Sequence, residues 1–538
     1  MSQEKFYITT PIYYVNDSPH IGHAYTSLAC DVLARFKRLD GAKVKFLTGT
    51  DEHGQKVEKS ASIAGKSPQA FTDEVSRRFQ DLCKLMNFSN DDFIRTTEPR
   101  HIKSAQELWR RLEKNGHIYL DKYAGWYSVR DEAFYTEAEL VAGKAPTGAD
   151  VEWVEEESYF FDLSKWQEKL LAHYEKYPDF IAPESRRNEV ISFVRGGLKD
   201  LSISRTTFTW GIPVPGNDKH IMYVWLDALA NYLSADGFGG EIGDWKMENG
   251  NNDSNLQPLT SNLQFWPADL HIIGKDILRF HAVYWPAFLM AADLPLPKRI
   301  FAGGWWTVDG QKMSKSLGNV IAPSSLVEKF GLDQTRYFLL REFPFGQDGN
   351  FSEERMIAVT NSELANNVGN LVQRTLSMIQ KNCGGMVPEF ADVPLRDIDK
   401  ELKNLVQVTE NTTPDLVRKK YLDCKFQEIL TEIIAMSSWL NSYIDKEAPW
   451  VQKKTNPELM AAILYYLAEG IRCLAIMLQP FIPDSAEKIL DLLAVSELER
   501  RFSHLRPEYA LKPGVKLPEP VAVFPRYTEN VLPAKAGN

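Results

Sequence analysis

The sequence predicts an α/β protein: a parallel sheet split by an inserted domain and followed by an α-helical domain. Three observations carry this. Strand-like and helix-like segments alternate in two separate stretches, one at the start and one after about residue 211. Residues 116–210 between them have another texture, rich in Tyr, Trp and Glu. Beyond about Ser352 apolar residues recur at three and four, the spacing of helix faces.

Taken in order, Phe6 to Tyr14 is β-branched and aromatic and predicts a buried strand. Asn16-Asp17-Ser18-Pro19 is a polar turn, after which Leu28, Ala29, Val32, Leu33 and Phe36 fall at helical spacing. Val44 to Thr50 predicts a second strand, and strand–turn–helix–strand is a βαβ unit. The rhythm returns at Met222–Leu226, which leads into a helix near Tyr232. It continues at His271–Ile273, which runs through Gly274-Lys275-Asp276 into a helix containing His281. Ile300 to Trp306 predicts one further strand. Helices then follow around Leu364–Met378, Leu422–Ile444 and Leu459–Leu478, punctuated by Pro449, Pro457, Pro480 and Pro483. The resulting units are 1–115, 116–210, 211–305, 306–355 and 356–538.

Composition sets limits. With 44% hydrophobic and 25% charged residues, the 538-residue chain is too apolar for disorder. A net charge of −10 excludes a generally basic nucleic-acid coat protein while allowing local basic patches. Five scattered cysteines, an odd number with no CxxC, argue against a disulfide scaffold and a thiolate zinc knuckle and predict a reducing compartment. Met1-Ser2-Gln3-Glu4-Lys5 has no apolar signal core. The apolar stretch Ala461–Pro483 contains Glu469 and Arg472, so it predicts a buried helix rather than a membrane span.

Two motifs carry chemistry. His20-Ile21-Gly22-His23 sits between a strand and a helix, where unpaired N–H groups and a partial positive charge favour an anion. Gly22 lets a ligand approach the backbone, and both histidines can donate to phosphate oxygens. Lys312-Met313-Ser314-Lys315-Ser316 lies between Asp309-Gly310 and Leu317-Gly318-Asn319. Flanking glycines predict a mobile loop whose lysines and hydroxyls grip and release a polyphosphate.

In this order the pair resembles the ATP motifs of class I aminoacyl-tRNA synthetases. The resemblance implies a Rossmann-like catalytic domain in two halves around a connective domain, with ATP at the carboxyl ends of the strands. Residues 306–355 then hold the lysine loop and a tRNA-stem contact region. Catalysis falls to His20, His23, Lys312 and Lys315, and ATP binding also involves Gly22, Gly274, Asp276, Ser314 and Ser316.

Four further segments resemble the methionyl-tRNA synthetases: Pro11–Asn16, Gly49–Gly54, Tyr223–Ala228 with Tyr232, and Gly274-Lys275-Asp276 before Phe280-His281. Carried over, Ile12 and Tyr14 line the methionine pocket and Asp51 pairs with the substrate ammonium. Trp225, Tyr232 and His281 enclose the thioether, whose sulfur gains ~0.3–1.5 kcal/mol per aromatic contact. In the helical domain, Asn370 and Arg374 share a helix face, and Trp450 follows Glu447-Ala448-Pro449. The family reads the CAU anticodon with such an Asn, Arg and Trp.

The implied partners are L-methionine, ATP with Mg²⁺, and initiator and elongator methionine tRNA. A cytoplasmic monomer without membrane contact is expected. One departure stands out: Trp126–Glu132, where many relatives carry zinc knuckles, has no cysteine. No structural zinc is expected, and Tyr119, Tyr123, Trp126 and Phe134 are expected to pack in its place. Arg186, Arg187, Arg195, Lys199 and Arg205 are a candidate basic strip for the tRNA backbone. The alternatives are a non-catalytic tRNA-binding paralogue or a class I synthetase of other specificity. The retained Asp51 and lysines oppose the first, and an insertion of only about 95 residues, too short for an editing domain, opposes the second.

Overall fold

The computed structural model describes residues 3–15, 18–130, 133–135, 137–239, 263–313, 318–389 and 417–527. Seven strands form one parallel sheet: β1 (Lys5–Thr9), β2 (Tyr13–Tyr14), β3 (Lys43–Asp51), β4 (Asp92–Arg95), β5 (Ile181–Ala182), β6 (Leu270–Gly274) and β7 (Ile300–Gly303). β1 is central. β3 and then β4 extend the sheet on one side of it, and β6, β7 and β5 extend it on the other. The order therefore reverses between β1 and β6, and that is where such sheets open a ligand crevice at their carboxyl ends.

Alternation along the strands decides which helices cover which face. Phe6 and Ile8 of β1, Val44 and Phe46 of β3, and Leu270 and Ile272 of β6 face one core, with helix α1 (Ile21–Leu39). Tyr7, Leu47 and Ile273 face the other, with α2 (Pro99–Lys114) and α3 (Val224–Ser234). The predicted strand Phe6–Tyr14 is interrupted at Thr10–Ile12. Pro11 has no N–H to give the ladder, and pairing with β3 resumes at Tyr13↔Thr50.

Two other predicted strands differ from expectation. Met222–Leu226 is not a strand of the parallel sheet: Met222 ends the strand Asn217–Met222, which pairs with Ser204–Arg205 and Pro213–Val214 in a small antiparallel sheet, and Val224 already begins α3. Ile300–Trp306 breaks after Gly303, because the chain turns at Gly304, where a Cβ would sit 1.9 Å from the Gln347 carbonyl oxygen. Trp306–Val308 then pairs with Gln311–Lys312 and Gly349–Asn350.

The insertion is built on a long antiparallel pair, Ile118–Ser128 against Glu152–Phe161, with edge strands Ala133–Tyr135 and Leu201–Ser202. It also returns to the parallel sheet, because β5 lies inside it and pairs with β7. The helical domain contains α4 (Asn370–Asn382), α5 (Phe426–Glu447) and α6 (Pro457–Leu478). A π-helical stretch, Thr360–Gly369, leads into α4. α6 is long and apolar enough to cross a membrane, but it is buried along most of its length as a core helix. One continuous apolar core runs from α1 through Trp306 and Phe338 to Leu440 and Leu474, so the sheet and the helical domain are packed together. At their junction the fully buried Arg336 donates to Asp31 Oδ2 (2.7 Å) and to the carbonyls of Met86, Pro480 and Phe481.

Candidate active site

The chain leaving β1 reaches α1 through His20, the cap of that helix. The Gly22 amide donates to His20 Nδ1 (3.0 Å) and the His20 amide donates to His23 Nδ1 (3.1 Å). Both Nδ1 atoms are acceptors, so the ring proton of each neutral histidine sits on Nε2. The rings lie 3.9 Å apart. Desolvation, with His20 beside it, pushes the His23 pKa well below its ordinary value. His23 is therefore a neutral N–H donor at physiological pH, not a cation. Gly22 has a second reason for being glycine, since a Cβ there would meet His20 Cε1 at 2.8 Å. The folded-back His20 ring occupies that space.

The segment that follows the lysine motif meets the histidine motif. Lys312 ends the strand Gln311–Lys312, and past the loop the Ile321 carbonyl accepts the amide of Ile21 at 3.0 Å. Both ends of the lysine segment are thus fixed, the second directly to the start of α1. Ser314, Lys315 and Ser316 lie outside the described residues, as does the Lys312 side chain. Gly274 ends β6 and Asp276 follows it across the crevice. Asp276 is exposed, and its Oδ1 lies 2.5 Å from where a Gly274 Cβ would be.

The six candidate methionine residues also come together. Tyr14 and Asp51 are register partners, and Asp51 is buried at the end of β3. Ile12, Tyr14 and Trp225 are partly buried against the same apolar cluster. The rings of Trp225 and Tyr232 lie 6.3 and 5.8 Å from His281, and Trp225 stacks on Phe280 at 3.6 Å. His281 sits on a π-helical turn, Phe280–Tyr284. Its Nδ1–H donates to the Ile277 carbonyl (3.0 Å), so Nε2 accepts from Tyr232 Oη–H (2.7 Å). Burial pushes the His281 pKa down to about 4.

Behind this pocket are residues that sequence reasoning did not single out. Asp227 of α3 accepts from His53 Nδ1 (2.6 Å) and His101 Nε2 (2.7 Å). Although desolvation opposes the charge, the two imidazoles hold the Asp227 pKa at about 2. Glu52 receives both Nε and Nη2 of Arg95 and the Thr97 hydroxyl. His53 and Glu52 adjoin Asp51 in a motif already noted. His101 and Arg95 left no signal.

In the helical domain Asn370, Arg374 and Trp450 share one surface. The Arg374 guanidinium lies 5.6 Å from the Trp450 ring and pairs with Asp445 (2.6 Å), and Asn370 Nδ2 donates to Asn441 Oδ1 (3.3 Å). Arg374 and Trp450 also line a cavity of about 590 Å³ with Ser377, Met378, Lys381 and Lys453.

The model for class I tRNA synthetases (M) matches residues 6–152 and 147–376, and that for the anticodon binding domain of methionyl tRNA ligase matches 397–533. The methionine–tRNA ligase of Rickettsia felis is 56% identical over 530 residues, covering 98% of this chain and 99% of its own. That of Mesorhizobium japonicum is 52% identical over 535 residues, with 98% and 99% covered. The Mycobacterium tuberculosis methionyl-tRNA synthetase, solved with methionyl-adenylate, superposes with a TM-score of 0.90 at 48% identity. That superposition covers 97% of this chain and 100% of the other. The chain belongs to the methionine–tRNA ligases.

Within this ligase fold the insertion has no cysteine, and no group of three or more His, Cys, Asp or Glu among the described residues is placed to hold a metal. A zinc knuckle does not fit. Trp126 packs edge-on against Trp153 (5.3 Å), and Tyr119 stacks on Phe160 and donates to Asp200. The Tyr123 and Phe134 side chains lie outside the described residues. The basic strip needs correction. Arg205 is only 3% exposed, lies 4.6 Å from the Tyr223 ring and donates to Ser202 and Ser204, so it cannot reach tRNA phosphates. Arg186 and Arg187 pair with Glu189 and Glu184 on their own helix.

Proposed function

We propose that this chain joins L-methionine to its tRNA in two steps at the crevice between β1 and β6. A methionine carboxylate oxygen attacks the α-phosphate of ATP in line, forming methionyl-adenylate and releasing pyrophosphate. A ribose hydroxyl of the tRNA's terminal adenosine then attacks the methionyl carbonyl, its proton is lost and AMP departs. Positioning and charge stabilisation suffice for such chemistry.

Asp51 takes the ammonium, and Ile12, Tyr14, Trp225, Tyr232 and His281 take the side chain. His20 and His23, as neutral Nε2–H donors, and Lys312 and Lys315, as cations, face the triphosphate. Ser314 and Ser316 add hydroxyl donors, Gly22 and Gly274 bring no side chain of their own against the nucleotide, and Asp276 accepts a ribose hydroxyl. Mg²⁺ arrives with ATP and screens its phosphate charge. Asn370, Arg374 and Trp450 read the CAU anticodon of initiator and elongator tRNA, Trp450 by stacking. The proposed setting is a cytoplasmic monomer without membrane contact, which sedimentation checks against 61.3 kDa.

The observation that carries the reading is the Ile21–Ile321 hydrogen bond, which sets the end of the lysine segment at the histidine cap. Pyrophosphate exchange tested with all twenty amino acids should proceed with methionine well above the rest. Equal exchange with another amino acid would overturn the assignment.

A further inference from the structure

We propose that His53, Asp227 and His101 form a positioning device for methionine, holding the ammonium partner at a fixed separation from the thioether cage. This rests on the assignment of Asp51 and Trp225 to methionine.

Asp227 lies two residues after Trp225 and five before Tyr232 on α3. His53 lies two residues after Asp51, and its carbonyl accepts the Tyr14 hydroxyl at 3.2 Å. The 2.6 Å bond from His53 Nδ1 to Asp227 Oδ2 therefore ties the end of β3, which bears Asp51 and leads to Tyr14's partner, to the helix bearing Trp225 and Tyr232. His101, on α2, bonds the other carboxylate oxygen, and Ser234 Oγ lies 3.1 Å from its Nδ1. Each carboxylate oxygen thus has one ring donor, and neither ring can turn without breaking a bond.

All three side chains are buried. An apolar trio of similar volume would stabilise an interior as well or better. Charge-assisted hydrogen bonds add direction and distance, which apolar contact does not supply. Three elements that would otherwise slide over one another are indexed at the depth of the substrate pocket. None of the three residues touches the reacting atoms. Their effect is transmitted through Asp51, Tyr14 and Trp225.

The test moves the N–H donor without removing polarity. An asparagine amide places its N–H near the Nδ1 position of histidine, and a glutamine amide near Nε2. His53→Asn and His101→Gln keep the donor where Asp227 needs it; His53→Gln and His101→Asn misplace it. In pyrophosphate exchange by the full chain, normalised to active sites titrated by adenylate formation, the first pair should keep methionine KM within about threefold of the parent. The second pair should raise it about ten- to a hundredfold, with ATP KM and kcat unchanged. Equal methionine KM values in all four variants, with only melting temperature altered, would overturn the proposal and leave a structural role. Equal damage in all four would overturn it too, since the ring and not the donor would then matter. Asp51→Asn and Trp225→Ala serve as controls: if they leave methionine KM unchanged, the pocket assignment has failed rather than the device.

Discussion

In the proposed methionine pocket, Tyr232 and His281 are buried and their hydrogen bonds close on one another and on Ile277. At the surface proposed to read the tRNA, Trp450 is 45% exposed, and Arg374 is held by Asp445, itself 63% exposed. The polar groups of the first site are bonded to one another within the protein. The second keeps its groups on water-accessible bonds that a base can replace at small cost, because exposed ion pairs are worth about 0–1 kcal/mol. A small apolar amino acid must be chosen by fit and desolvation, whereas an unstacked base brings its own aromatic face and hydrogen-bonding edge. Rigidity belongs at one end and exchangeability at the other.

Four experiments break or sharpen this contrast. The largest effect should come from Lys315→Ala, which belongs to neither site: exchange should fall about 100- to 1,000-fold with methionine KM within about twofold. A large rise in methionine KM would mean that the lysine loop also shapes the methionine pocket. Trp450→Ala should lower kcat/KM for tRNA about ten- to a hundredfold, the worth of one stacked base, without a matching fall in exchange. Third, methionine KM should stay flat from pH 8 to about 5. His281, depressed to about 4, is neutral throughout that range and accepts from Tyr232. Below that value protonation of Nε2 removes the acceptor and KM should climb; a break near pH 6.5 would show the ring to be solvated. The smallest effect should come from Gly22→Ala, whose Cβ displaces the His20 ring. It should cost about 1 kcal/mol of thermal stability through the lost cap and raise ATP KM a few-fold.

Much of the architecture was legible because it depends on local pattern. The alternation Phe6–Tyr7–Ile8 marks a strand covered on both faces, and the two motifs stand next to strands and helices in sequence. Other features depend on partners far away in the chain. The strand Ile181–Ala182 has two residues and sits inside the insertion, so only its pairing with Ile300–Phe301 reveals it. His101 meets Asp227 across 126 positions. Arg205 reads as a surface cation until Tyr127 and Tyr223 are seen covering it. The histidine motif was found for its chemistry, but its reciprocal capping depends on backbone angles at His20 that residue identity does not state. Acid stability offers a parallel check on the hidden carboxylate. Held at about 2, Asp227 stabilises the fold above the ordinary carboxylate pKa and loses that contribution as pH falls from about 4 towards 2. The cost of Asp227→Asn should therefore shrink over that interval.

Arg336 has a consequence for anyone who would dissect the molecule. Its guanidinium spends donors on Asp31 and Met86 of the catalytic half and on Pro480 and Phe481, residues near the far end of the last long helix. Cutting the chain after residue 355, at the apparent seam, would strand a cation in an apolar interior with half its acceptors gone. A minimal catalytic fragment would have to replace that arginine, or carry a substitute for the Pro480–Phe481 turn, before it could stand alone.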